Sequence, residues 1–135
     1  MVSKKFIING TGPILLTSPH TIKTLRIKEI HLNELYIFTI INKLYHYLGE
    51  EQATLFTFNH KYYNQEGIVP KDPNFLKKFS NEWFIEFERL PLPRDKVLHI
   101  DFHGMGNKST TNDLEFGLKS LELTHPSLYY VIKNI

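Results

Sequence analysis

The 135-residue chain, 41% of it hydrophobic, is long enough for one buried core and short for two, and its net charge of +2 balances 16 basic residues against 14 acidic ones. Such balance, with basic residues scattered instead of clustered with aromatics, argues against nucleic acid as a partner. The absence of cysteine excludes disulfides and thiolate metal sites, so any metal must be held by His and carboxylate side chains. No apolar run reaches the roughly 20 residues needed to cross a bilayer. Lys4 and Lys5, followed only by Phe6-Ile7-Ile8, do not make a secretory signal either. The expectation is one cytoplasmic domain spanning 1–135, with no membrane partner.

Two short apolar runs, 4–9 and 13–18, are separated by Gly10-Thr11-Gly12 and read as a hairpin or two neighbouring strands. After an irregular basic loop, "LNELYIFTIINKLYHYLG" places Ile37, Ile40, Ile41, Leu44 and Leu48 at helical spacing, with Gly49 where a C-cap belongs. "ATLFTF", residues 53–58, reads as a strand, and 59–73 as a polar loop. A helix is predicted over 74–90, where Phe75, Phe79, Trp83 and Phe87 recur every four residues as core packing. "LPLPRD" breaks that helix and a strand follows at 96–102. Beyond it come a polar loop at 104–112, "DLEFGLKSLEL" and a short helix from 126. Strand, helix, strand, helix, strand implies an α/β fold, a mixed sheet with helices on its faces.

In such sheets ligands collect beyond the carboxyl ends of the strands. His20 and His103 each follow a strand, so the fold can bring both to one rim. With a carboxylate they would form a His-Glu-His set suited to zinc with one open position. Glu29 and Glu34 are both candidates, and spacing does not choose between them. His31-Leu32-Asn33-Glu34 also spells H-x-x-E. Asp101 shares a strand face with His103 and is placed either to hold its second ring nitrogen or to cap the loop at 104–108.

"ILLTSPHT", "KEIHLNELY" and "VLHIDFHG" together resemble the N-formylglutamate amidohydrolase family, relatives of zinc carboxypeptidases, over about residues 13–118. The shared pattern is a strand ending in Pro-His, an acidic segment, and a strand ending in Asp-x-His. The resemblance implies an amidohydrolase and carboxypeptidase-like fold and a zinc cofactor. It implies His20, Glu29 and His103 as metal ligands, with His31 beside the carboxylate. The implied reaction is hydrolysis of an amide bond in a small acyl amino acid or peptide, a small-molecule substrate.

The chain departs from the family at three places. Thr21-Ile22-Lys23 follows Pro-His where a glycine turn is usual. The family's Asp-x-Asn-Arg element, whose arginine binds a substrate carboxylate, is matched by Tyr62-Tyr63-Asn64-Gln65, which keeps Asn64 for the substrate and lacks the arginine. The base glutamate has no recognisable counterpart: only Glu115 and Glu122 follow His103, and Ile135 stands 32 residues past it, which implies a sheet shortened at its C-terminus. Arg94 is the candidate replacement clamp, Glu34 and His31 are the candidate replacement bases, and the N–H groups of Gly104 and Gly106 are candidate oxyanion donors. The isolated chain is accordingly expected to turn over N-formylglutamate poorly. The second reading is a non-catalytic member that binds metal or a small ligand. A third is a scaffold in which exposed aromatics (Tyr45, Tyr47, Tyr62, Tyr63, Tyr129, Tyr130) join copies into a homo-oligomer.

Overall fold

The computed structural model describes residues 4–34, 36–75 and 81–104, together with Ser127 and Tyr130. The chain divides into two compact units, Met1–Met105 and Gly106–Ile135. In the second, the two described residues are helical. Expectations for Gly106, Glu115, Glu122, Tyr129 and the segments around them lie outside the described residues, as does Phe79.

The first unit is α/β. Among the described residues a four-stranded sheet is built from β1 (Phe6–Gly10), β2 (Ile14–Ser18), β5 (Ala53–Phe58) and β6 (Leu98–Asp101), in the order β1-β5-β2-β6. The sheet is mixed: β1 runs antiparallel to β5, while β5 and β6 both run parallel to β2. The hairpin expectation for the first two strands is therefore corrected. β5 lies between β1 and β2, and the tight passage between them hugs the start of β5, where Gly12 N–H and Ile14 N–H donate to Ala53 O and Gln52 O. A Cβ on Gly12 would meet the Gln52 backbone at 2.0 Å, so only glycine fits that approach.

All six residues of β5 are buried, as a central strand covered on both faces requires. On one face Phe56 and Phe58 join Phe6, Leu15, Ile22, Tyr63 and Trp83. On the other, Ala53 and Leu55 meet Leu16 and helix α1 (Ile37–Leu48) through Ile41 and Tyr45. The helix ends at Gly49 as its sequence predicts, though Ile40 faces outward, half exposed. Trp83 packs on Phe56 and Phe58 with ring centroids 4.6 and 4.7 Å away.

Two expectations on the stretch between β5 and β6 are corrected. Residues 60–66 are not loop but helix α2 (His60–Glu66), capped by the Asn59 side chain, which accepts from Lys61 N–H, and closed by Gly67 at φ 64°. The single helix expected over 74–90 is a 3-10 turn at Pro73–Phe75 and a short α3 (Glu82–Glu88). Phe75 is half exposed, so the four-residue stripe is not one core face. Tyr45 and Tyr63 are buried, which removes both from the exposed aromatics. Among the described residues no helix is long and apolar enough to cross a membrane.

A separate two-stranded hairpin, β3 (Thr24–Arg26) with β4 (Glu29–His31), forms after β2. The chain at 70–72 docks along β3: Leu25 N–H donates to Pro70 O and Asp72 N–H to Leu25 O. That docking carries Asp72 to the rim where β2 ends.

Candidate metal centre

Parallel pairing of β2 and β6 aligns their carboxyl ends, with Thr17 opposite Asp101. The next residues in each chain segment bring His20 and His103 together, Nδ1 to Nδ1 at 3.3 Å across 83 residues of sequence. Glu34 arrives because its N–H donates to the His20 carbonyl; its Oε1 then lies 3.0 Å from His20 Nδ1. These three side chains offer donor atoms all within 4.8 Å of one another. Glu29, the ligand implied by resemblance, is exposed on β4 and outside this group, so the structure favours Glu34 of the two acids that spacing left open.

The outer nitrogen of each histidine is held by a carboxylate. His20, 2% exposed, has Nε2 3.1 Å from both oxygens of Asp72, which is fully buried. Burial alone would push the Asp72 carboxyl up, but the Arg26 Nε–H at 2.8 Å, the Asn74 N–H and the His20 ring outweigh it and hold it at about 2. Asp72 is therefore ionised and can only accept, so His20 Nε2 donates, and in the neutral ring that leaves the lone pair on Nδ1. On the other side His103 Nε2 lies 2.7 Å from Asp101 Oδ2, as the strand alternation predicts. In the neutral ring, donation to that carboxylate likewise leaves a lone pair on His103 Nδ1. The bond to Asp101 raises the His103 pKa, burial works against it, and the charges of Asp101, Glu34 and Asp72 add to the rise. Asp101 is less enclosed than its partner role suggests: its side chain is 37% exposed.

With both rings neutral, three acceptors thus face one another: His20 Nδ1, His103 Nδ1 and Glu34 Oε1. A proton on His20 Nδ1 answers the contacts to Glu34 and His103 only in part, whereas a metal ion answers all three. Bonds of about 2.0–2.1 Å in a tetrahedron place ligand atoms about 3.3–3.4 Å apart. The distances of 3.0 Å and 3.3 Å from His20 Nδ1 lie close to that spacing. The residues fit zinc.

The remaining candidates fall around this group. His31, on β4, packs edge-on to His20 with ring centroids 4.5 Å apart, and its Nε2 is 3.6 Å from Glu34 Oε1. That buried nitrogen has no hydrogen-bond partner among the described residues. Gly104 N–H donates to Glu34 Oε2, so it orients that carboxylate and is not a free oxyanion donor. Asn64 is exposed on α2 and lines a cavity of about 390 Å³ with Thr21, Lys23, Asn33 and His60, the neighbours in sequence of His20 and Glu34 among them. Arg94 opens a 3-10 turn before the amino end of β6, the end of that strand away from His103. Sequence reasoning missed Asp72. Its signal was local, Asp-Pro-Asn, in which an aspartate accepts the N–H two residues on. No family profile, no curated protein and no solved structure matches the chain.

Proposed function

We propose that this chain binds zinc through His20, Glu34 and His103 and hydrolyses an amide bond in a small acyl amino acid or peptide, in the manner of the N-formylglutamate amidohydrolase family. The observation that carries the reading is the convergence of three potential ligand atoms whose imidazole rings are held from behind by Asp72 and Asp101. Zinc in such a site supplies a Lewis acid and lowers the pKa of a bound water. The protein's part is to hold the three ligands in register before the ion arrives. Glu34 serves as ligand, so it is not the base. His31 Nε2, 3.6 Å from Glu34 Oε1 and without a hydrogen-bond partner among the described residues, is the group placed to take up a proton at the edge of the site. Arg94 is not assigned the role of substrate clamp, because it precedes the far end of β6.

Metal analysis of the purified chain, followed by a zinc-loaded hydrolysis assay on a panel of N-acyl amino acids with His103→Ala as the blank, tests both halves. One zinc per chain and turnover above the blank are expected, with N-formylglutamate itself a poor substrate. Zinc without turnover would replace hydrolysis by metal binding alone, a reading favoured by the engagement of the Gly104 N–H with Glu34. Absence of zinc from the wild-type chain would end the proposal.

A further inference from the structure

Behind Asp101 the hydrogen bonding does not stop. Thr17 Oγ1, on β2 and 1% exposed, donates to Asp101 Oδ1 at 2.5 Å and lies 2.8 Å from His99 Nε2. A threonine hydroxyl has one proton, and Asp101 takes it. The contact with His99 must therefore run the other way, with His99 Nε2–H donating to the Thr17 oxygen. The second oxygen of Asp101 accepts from His103 Nε2. The polarity of the whole chain is then fixed: His99 N–H to Thr17, Thr17 O–H to Asp101, and His103 N–H to Asp101 from the opposite side. His99 is itself seated against Phe87, with ring centroids 5.3 Å apart.

We infer that Thr17, backed by His99, is a positioning residue for His103: its hydroxyl holds the Asp101 carboxylate in the orientation that selects the His103 tautomer with Nδ1 free toward the site. The inference rests on the zinc reading only for its consequence, since the tautomer is a property of the metal-free chain as well. Asp101 needs such support because it is partly exposed and water competes for its oxygens. Thr17 can supply it because its strand is pinned in the sheet between β5 and β6. One strand thereby serves both histidines, leading directly into His20 and reaching His103 through Asp101.

The test compares wild type with Thr17→Val, Thr17→Ser and His99→Phe. Long-range proton–nitrogen NMR at alkaline pH reads the His103 tautomer without metal, and competition with a chromophoric chelator reads zinc affinity. Wild type and Thr17→Ser are expected to show His103 protonated at Nε2. Thr17→Val, which keeps the shape and loses the hydroxyl, is expected to show both tautomers and about 10-fold weaker zinc binding. His99→Phe, on an exposed position that keeps the ring contact, gives a change in the same direction and smaller. If Thr17→Val retains a single Nε2–H tautomer, the inference is overturned, whatever happens to zinc. Should Thr17→Val fail to fold, a His99→Phe variant with unaltered tautomer and affinity decides against it equally. A wild-type chain that binds no zinc yet shows the tautomer shift in Thr17→Val would sink the metal reading and leave the positioning role standing.

Discussion

Behind His20 stands Asp72, fully buried, accepting from His20, Thr24, Arg26 and the Asn74 N–H; behind His103 stands Asp101, 37% exposed, accepting from His103 and Thr17. Both flanks place a carboxylate on the outer ring nitrogen. Only the first is a closed network in which a cation, Arg26, balances the buried charge and lies over the Phe75 ring at 4.5 Å. The difference teaches that the same ligand geometry is held in two ways, one through the stability of the fold and one through local hydrogen bonding. Mutations on the two sides should therefore separate stability from metal affinity.

The largest expected effect is that of Asp72→Ala. It leaves Arg26 and the His20 N–H without their buried acceptor, a loss of about 3–5 kcal/mol, read as a fall in the urea midpoint along with loss of zinc binding. A variant whose midpoint matches wild type would show that the Asp72 network does not support the fold. Asp101→Ala should separate the two effects. Zinc affinity should fall about 10–100-fold while thermal stability stays close to wild type, and a large drop in melting temperature with intact zinc affinity would erase the contrast between the flanks.

The third test is acid. The Asp72 pKa is depressed in the folded chain to about 2 from an ordinary value of 3.8, so the stability it contributes is fully present above the unfolded value and is lost as pH falls through the folded one. At ~1.4 kcal/mol per unit this is roughly 2 kcal/mol, disappearing between about pH 4 and pH 2. Asp72→Asn should flatten that part of the stability profile, and an unchanged slope in the variant would contradict the assignment. The smallest effect belongs to Gly104→Ala. A Cβ there would sit 3.0 Å from Glu34 Cβ, so Glu34 must yield by a few tenths of an ångström. A loss of zinc affinity smaller than that of Asp101→Ala, with stability within about 0.5 kcal/mol, is expected from calorimetric titration. A loss exceeding that of Asp101→Ala would mean that the Glu34 position, and not the His103 flank, is the site's weak point.

Much of this arrangement was legible before any coordinates. His20 and His103 could be paired because each follows a strand, and strand ends of a parallel pair share a rim. Asp101 was legible because residues two apart on a strand share a face. Glu34 against Glu29 was not decidable, since the choice depends on a backbone bond from Glu34 to His20 that no spacing encodes. Asp72 was hidden for a related reason: it reaches His20 across 52 residues only because 70–72 docks on β3. Helix α2 was the opposite case, with Asn59 and Gly67 standing as cap signals at its two ends. Its mostly exposed residues carry too little apolar periodicity to reveal a seven-residue helix, which is held by caps and by burial of Tyr63.

The sheet order has a consequence for how the protein folds. β1, β5 and β2 can assemble from the first 58 residues, whereas among the described strands β6 pairs with β2 alone. His103 follows that strand, so closing the 83-residue loop from His20 accompanies its docking. The His20–Glu34–His103 cluster thus comes into being with the most non-local strand pairing among the described residues. An ion captured there favours the docked strand in proportion to its occupancy and slows the strand's release. Zinc should therefore lower the unfolding rate with little effect on the folding rate, like a latch that engages after the door has closed.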